Sequence, residues 1–205
     1  GYIMPESTNC GTVFIGDTPE QRAVANYEKI IEYVEANWDL YKDLEVIEVA
    51  VAGHPSNENC DYRCAHTGEL LEANTDYNFK VVYNQGAVGT DAGVTFAENC
   101  LQAHPDVKIW LANADDAAIG IYQALNNAGK GSDPDQIITG IDAGSSFREL
   151  CAAGTAFRFS SYCTSSACAE TLLEVVPKLC NGEYAYQENI SIPTTTVSIE
   201  NIDIV

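Results

Sequence analysis

The sequence is short of basic residues, with 10 Lys and Arg against 30 Asp and Glu and a formal net charge of −20. A surface this acidic repels polyanions, so nucleic acid and anionic membranes are excluded as expected partners. Apolar runs are also short, below the roughly 18 residues that a transmembrane helix needs. No signal peptide is recognisable at Gly1. The acidic composition favours a soluble domain in an exterior environment.

Histidine is scarce too. The three histidines are scattered, so a zinc site is not expected and no cofactor is predicted. The eight cysteines include no C-x-x-C pair, and the closest spacings are Cys60/Cys64 and Cys163/Cys168. Two interpretations stay open for the cysteines: small buried thiols, or one or more disulfides in an exported protein.

The common catalytic motifs are missing as well. The sequence has no G-x-S-x-G, no H-E-x-x-H and no paired Cys–His arrangement. Residues 129–132, GKGS, resemble a phosphate loop but follow a predicted helix instead of a strand. Because no nucleophile and base can be assembled, an enzyme is the weakest functional alternative.

What the sequence does contain is an alternation of short apolar strands with longer amphipathic helices. Residues 107–112 are predicted to form a buried strand, and a helix over 117–129 follows after a polar turn. This order recurs along the chain, which predicts a mainly parallel, doubly wound sheet of about six strands. With helices on both faces, the expected fold is a three-layer α/β sandwich.

Three local signals make specific predictions. The TPEQ segment over residues 18–21 predicts a helix start with a capping box. Pro177 predicts a kink or an early stop in the helix over residues 164–180. Residues 190–198 are predicted to form one closing strand.

Polar side chains follow the predicted strands at their carboxyl ends, where open parallel sheets bind ligands. They supply the mixture that binds a neutral polyol: carboxylates, amides, an arginine and an aromatic ring. The candidate ligand-binding residues are His54, Arg63, Asn113, Asp115, Asp142 and Tyr162. Structural alternatives stay open: the aspartates at 115, 116 and 142 would cap helices, the arginine would form a surface ion pair, and the tyrosine would lie in the core.

The segment over residues 101–130, LQAHPDVKIWLANADDAAIGIYQALNNAGK, resembles the second-lobe core of the type I periplasmic sugar-binding proteins, the ribose- and galactose-binding family. In that family the pattern is L-x-A-x-P-D, an apolar strand, A-x-N-D-x-x-A-x-G and a helix ending in A-G. The match continues in order from about Val13 to Val205. The resemblance implies one lobe of a two-lobed fold, the carboxyl-terminal one.

The resemblance also implies roles for individual residues. Asp142 lies at the family's acceptor of sugar hydroxyls, and Arg63 at an arginine that clamps hydroxyls. His54 lies where galactose binders place a histidine. The sequence departs from the family pattern at Ala114, where a ligand-binding asparagine is usual, and near Val88, where an aromatic ring usually stacks on the sugar. The expected solute is a sugar or a relative of one.

The resemblance divides the chain as follows. Residues 1–16 would be a remnant of lobe one and the first hinge strand, 17–162 the solute-binding lobe, 163–192 an excursion that packs on the absent lobe one, and 193–205 the closing strand. Exposing the apolar side chains of the helix over 164–180 would cost about 6–12 kcal/mol, comparable with the whole stability of a domain. This helix is therefore expected to fold back on its own lobe or to pack against a second copy in a homodimer.

Taken together, the resemblance implies the solute-binding component of a bacterial ABC importer, exported to the periplasm or the cell surface. It would do no chemistry, capturing a small polar solute and reporting occupancy to a membrane permease. One alternative is the effector lobe of a lactose-repressor-type regulator, which an upstream DNA-binding segment would favour. Another is an exported sensor domain for chemotaxis or a kinase. An oxidised cysteine pair or an upstream signal peptide would favour the importer.

Overall fold

A computed structural model describes residues 14–183 and 189–204 of the chain. Strands and helices alternate along it. The strands are β1 (Phe14–Gly16), β2 (Ile47–Gly53), β3 (Phe79–Gly86), β4 (Ile109–Ala112), β5 (Ile137–Ile141), β6 (Phe157–Tyr162), β7 (Asn189–Ser191) and β8 (Thr195–Val197). The helices are α1 (Pro19–Ala36), α2 (Glu58–Ala73), α3 (Thr90–Ala103), α4 (Asp115–Asn127), α5 (Ser145–Ala152) and α6 (Ser165–Cys180).

A six-stranded sheet in the order β3-β2-β4-β5-β6-β8 forms the centre of the fold. Its neighbouring strands are parallel except β8, which runs antiparallel to β6. β1 and β7 form a separate two-stranded parallel sheet. The predicted mainly parallel sheet of about six strands is confirmed, with β8 as its antiparallel edge.

Successive side chains of the central strands point into opposite helix layers. Trp110 of β4 packs in one core with Phe96 of α3 and Ile121 of α4. Its neighbour Ile109 packs in a second core with Ile30 of α1. Because side chains alternate across a strand, this double burial produces the predicted three-layer sandwich, and all four residues of β4 are buried.

The start of α1 follows the predicted capping box. Gln21 N donates to Thr18 Oγ1 at 3.1 Å, and Thr18 N donates to Gln21 Oε1 at 2.8 Å. These two bonds satisfy amide groups that have no partner within the helix. The cap fixes where α1 leaves β1, directly beside the carboxyl end of the sheet.

The single closing strand predicted over residues 190–198 is wrong. The segment divides around Pro193, which has no N–H to contribute to a strand ladder. On one side, β7 pairs with β1 and Ile192 N donates to Gly16 O at 3.1 Å. On the other side, β8 joins the main sheet beside β6.

Two helix boundaries also differ from expectation. Helix α4 begins at Asp115 instead of Ala117, after Ala114, which makes no side-chain cap. Asp115 and Asp116 therefore lie in the first turn and do not cap the helix, although their charges suit its dipole. Of the two alternatives at Pro177, a kink or an early stop, the early stop is wrong, because α6 continues to Cys180.

Helix α6 leaves much of its apolar face uncovered by the rest of the described chain. Leu173 is 77% exposed, and Leu172, Val176 and Leu179 are exposed as well, whereas Val175 is buried. The expectation that α6 folds back on its own lobe is therefore wrong for this face; packing on a second copy stays a prediction. Within residues 14–183 and 189–204, no helix combines the length and hydrophobicity of a membrane span.

Candidate functional site

Four neighbouring parallel strands end at one edge of the sheet, which we call the rim: residues 53–55, 113–115, 142–144 and 162. The strand registers bring these ends level, because Ala52 pairs with Ala112 and Leu111 with Thr139. Adjacent strands are about 4.8 Å apart, so the backbones after β2 and β5, two strands apart, are separated by about 10 Å. The fold therefore brings the strand-end candidates to one edge.

Asn113 ties the strand ends together. Its side chain is buried, with Nδ2 at 2.9 Å from Ala52 O, 3.0 Å from Gly53 O and 2.6 Å from Ala87 O. An amide nitrogen carries two hydrogens, so one of them is shared between acceptors. These bonds join β4 to the ends of β2 and β3. The role of Asn113 as a ligand contact stays a prediction.

Asp115 connects α4 to the loop after β5. Its Oδ1 accepts from Ser160 Oγ at 2.7 Å, and its Oδ2 accepts from Gly144 N at 2.7 Å. Burial raises the pKa of Asp115 to about 7, and nearby carboxylates add to the rise, while these two hydrogen bonds lower it. Gly140 makes room for the carboxylate, since a Cβ there would lie 2.2 Å from Oδ1. Asp115 thus joins the start of α4 to β6 and to the loop after β5, beneath the rim.

Asp142 stands on a strained turn that the surrounding bonds hold in place. Asp142 and Ala143 have φ angles of 96° and 48°, a conformation that L side chains seldom adopt. Asp142 N donates to Ser161 O at 2.9 Å, and Ala143 N donates to Ser160 Oγ at 2.9 Å. Strain of this kind costs about 1–3 kcal/mol per residue and clusters at functional sites. The turn presents the Asp142 side chain, 64% exposed, at the rim.

Arg22, near the start of α1, is a rim residue that the sequence did not reveal. Its Nε and Nη2 donate to the buried Asp17 carboxylate at 2.7 and 3.2 Å, and its Nη1 donates to Asp142 Oδ1 at 2.8 Å. Burial would lower the pKa of Arg22, but the bonds and charges of Asp17 and Asp142 outweigh it and raise that pKa. A cation near a helix start is unfavourable for the helix dipole, so its position in the sequence was a signal that Arg22 has acidic partners outside the helix.

His54 and Arg63 lie at the end of β2 and the start of α2. His54 N donates to Asp61 Oδ1 at 2.8 Å. The buried Nδ1 of His54 has no hydrogen-bond partner among the described residues, although buried polar atoms are usually paired. Arg63 turns back toward the helix start, with Nε 3.3 Å from Asn59 O and Nη2 3.1 Å from Cys60 Sγ. The partner atoms belong to Asn59, Cys60 and Asp61 in the first turn of α2, so both residues lie at the amino end of this helix.

Tyr162 closes the rim at β6. It is half-buried and packs against the core between the sheet and α3 and α4, and its hydroxyl lies 3.0 Å from Ser165 Oγ. A cavity of about 400 Å³ lies away from the rim, lined by Tyr33, Thr155 and Arg158 near the amino end of β6. In the part of the chain described, no three His, Cys, Asp or Glu side chains converge to hold a metal. The rim is an open polar surface of hydrogen-bonding groups.

Comparison with protein families gives one match over most of the chain. A family model described as a periplasmic binding protein domain matches residues 4–183. Among curated proteins, the ribose import binding protein RbsB of Bacillus subtilis (strain 168) is 37% identical over 68 residues. That alignment covers 33% of this chain and 21% of the relative. The matched proteins are binding and transport proteins, not enzymes.

Solved structures show the same fold. A periplasmic ribose ABC transporter protein from Conexibacter woesei superposes with a TM-score of 0.78 at 17% identity, covering 96% of this chain and 63% of its own. An ABC transporter solute-binding protein from Bacillus halodurans, solved with bound myo-inositol, superposes with a TM-score of 0.70 at 23% identity, covering 93% and 62%. The chain therefore spans less than two thirds of these proteins.

Proposed function

This chain belongs to the periplasmic binding protein domain family, and we propose that it is the carboxyl-terminal lobe of a solute-binding component of an ABC importer. The proposed solute is a small neutral polyol, a sugar or a relative of one. One observation carries the proposal: the carboxyl ends of four neighbouring strands lie at the same height and form one polar rim, with Asp142 exposed at its centre.

The chemistry of the rim suits hydroxyl groups. Asp142 uses one carboxylate oxygen for Arg22, so its second oxygen is available to accept from a hydroxyl. The half-buried side chain of His54 offers a second polar contact, and the guanidinium of Arg63 a third. Since Asp17, Arg22 and Asp142 together carry a formal charge of only −1, a neutral solute is favoured over a strongly charged one.

The lobe boundaries fit the separate pairing of β1 and β7. These strands form their own two-stranded sheet outside the main sheet, as expected of chain crossings between two lobes. We assign residues 1–16 to the remnant of lobe one and the first crossing, 17–162 to the solute-binding lobe, 163–192 to the excursion and 193–205 to the closing segment. The exposed apolar face of α6 would then pack on lobe one in a longer protein.

The partners follow from the same assignment. The named relatives include an import binding protein and ABC transporter proteins, which supports an importer over a repressor lobe. We assign this chain an exported location and a membrane permease as its partner. The two lobes would close around the solute, and the closed form would be recognised by the permease.

The test uses the product of the complete gene, screened by thermal shift against monosaccharides, polyols, amino acids, nucleotides and divalent metals. Ligands that bind only the folded state raise its melting temperature. The proposal expects a shift with a neutral sugar or polyol. A shift with a nucleotide or a metal alone would overturn it.

A further inference from the structure

The start of α6 brings two cysteines together across a helix cap. Thr164 is the N-cap residue, and its Oγ1 accepts from Ala167 N at 3.2 Å. Cys163 precedes the cap and Cys168 lies four residues after it, the two positions whose side chains meet over the first turn in many helices. Apolar residues usually occupy them, but here both carry a thiol.

The two sulfur atoms are already in contact. Cys163 Sγ and Cys168 Sγ are 3.3 Å apart, and both side chains are partly accessible. A disulfide bond is about 2.05 Å long, so the atoms need to approach by roughly 1.3 Å. Rotation of the two side chains supplies this movement near a helix start, where the chain before the cap is not helical.

The other described cysteines lie in other parts of the fold. Cys64 Sγ lies 3.2 Å from Asp61 O and is buried, and Cys60 Sγ accepts from Arg63. Cys100 and Cys151 are buried in the core. Cys180 is exposed at the far end of α6. Cys10 lies outside the described residues.

We propose that Cys163 and Cys168 form a disulfide that locks the chain between β6 and α6. The oxidant is a second disulfide, such as that of a dithiol oxidoreductase or oxidised glutathione. One cysteine thiolate attacks it and forms a mixed disulfide, which releases one thiolate of the oxidant. The other cysteine then attacks the protein sulfur of the mixed disulfide and releases the second. The two cysteine protons pass to the released thiolates, so the protein is oxidised by two electrons and the oxidant is reduced.

The cross-link has a structural consequence for the rim. The closed ring contains Ser165, whose Oγ lies 3.0 Å from the hydroxyl of Tyr162. It also lies near the Asp17–Arg22 pair: burial raises the pKa of Cys163 to about 12, with contributions from Cys168 and the charge of Asp17, while Arg22 lowers it. The bond therefore fixes the segment that connects the rim to α6. It does not depend on which solute the rim binds.

Peptide mapping tests the pairing in the 205-residue chain. The native protein is incubated with oxidised glutathione, blocked with iodoacetamide, denatured and digested with trypsin. The peptide of residues 159–178, bounded by Arg158 and Lys178, contains Cys163 and Cys168 and no other cysteine. We expect this peptide to lose two hydrogen atoms and to carry no alkyl group. The same treatment after reduction should leave it alkylated at both sites.

Two variants sharpen the result. Cys180→Ser is expected to leave the cross-link intact. Cys163→Ser is expected to trap Cys168 as a mixed disulfide with glutathione, because the raised pKa of Cys163 makes it the poorer attacking thiol. The melting temperature should drop on reduction of the unmodified chain, by about 2–4 °C, but not in the double variant Cys163→Ala/Cys168→Ala. Alkylation at both sites of the oxidised protein, or pairing of either cysteine with Cys10 or Cys180, would overturn the proposal.

Discussion

The guanidinium of Arg22 lies 2.8 Å from a carboxylate oxygen of Asp142, although 120 residues separate the two in sequence. The other end of the same guanidinium holds the buried Asp17, which also accepts from Thr194 Oγ1 at 3.0 Å. One arginine thus connects the chain after β1, the chain after β7 and the turn after β5. Arg22 is a positioning residue for Asp142, the side chain that the rim presents to solvent.

Replacing the two ends of this ion pair should have unequal effects on stability. Arg22→Met leaves Asp17, 4% exposed, as an uncompensated buried charge and should lower the free energy of unfolding by about 3–5 kcal/mol. Asp142→Asn should cost only about 0–1 kcal/mol because Asp142 is exposed. Urea unfolding measures both, with Lys42→Met as a control that breaks an exposed pair. Equal losses at Arg22 and Asp142 would show that Asp142 is structural.

The pH dependence of stability should carry the signature of Asp115. Its pKa rises from 3.8 to about 7 on folding, so between these values the folded state holds a proton that the unfolded state has released. The stabilising contribution is complete below about pH 4 and is lost as the pH rises through about 7. Its full size is on the order of 4 kcal/mol. Urea unfolding from about pH 4 to about pH 8 measures it.

Asp115→Asn supplies the comparison, because asparagine keeps the shape and does not titrate. Relative to this variant, the unmodified chain should lose stability steadily over that pH range. Two parallel curves would contradict the raised pKa of Asp115.

Asn113 should prove structurally important whether or not it contacts a solute. Asn113→Leu removes the donor for three backbone carbonyls that end β2 and β3. Ala52 O and Gly53 O keep the backbone donors Asn113 N and Ala87 N, so the main loss is at Ala87 O. A buried group left unpaired costs about 1–3 kcal/mol, and the unfolding free energy should fall by about that amount. The matched change Asn127→Leu, at an exposed position near the end of α4, should stay within about 0.5 kcal/mol. Similar losses of stability for both variants would show that the hydrogen bonds of the Asn113 side chain do not stabilise the strand ends.

Replacing a residue on the apolar face of α6 should affect stability differently in this chain and in a longer protein that contains lobe one. Leu173→Ala should change the stability of the 205-residue chain by less than about 0.5 kcal/mol, because Leu173 is exposed. In a longer protein that contains lobe one it should cost about 2–4 kcal/mol. Val175→Ala is the control, since Val175 is buried in this chain and should be costly in both proteins.

Sedimentation velocity tests whether α6 packs against a second copy of this chain or against lobe one. A dimer of this chain that Leu173→Asp dissociates would assign the face to a second copy instead of lobe one. A monomer at all concentrations, with the stability difference above, would support lobe one.

The layered fold could be predicted because its signals are local. The capping box at Thr18 and the apolar run of β4 each specify an element within a few residues. The final segment was predicted wrongly because strand pairing is not local: Pro193 separates two strands whose partners, β1 and β6, lie far apart in sequence. Residues at strand ends were identified from the parallel order alone.

The hydrogen bonds and ion pairs within the site could not be predicted in the same way. Arg22 was missed because its partners lie in other loops, and the sequence contains no sign of the positive φ at Asp142. The sequence offers Asp115 as a ligand contact or a helix cap, whereas in the structure its carboxylate turns inward to Ser160. Such contacts follow from the packing of whole elements, so no short pattern records them.

The central claim is that the rim binds a neutral polyol through Asp142, and isothermal titration calorimetry of the complete gene product tests it most directly. Asp142→Asn is a suitable variant, because asparagine tolerates positive φ and removes only the charge. We predict one-to-one binding of a neutral sugar or polyol that the variant weakens about tenfold, or about 1.4 kcal/mol. Binding of that solute with unchanged affinity in the variant, or no binding of any neutral polyol by the unmodified protein, would contradict the claim.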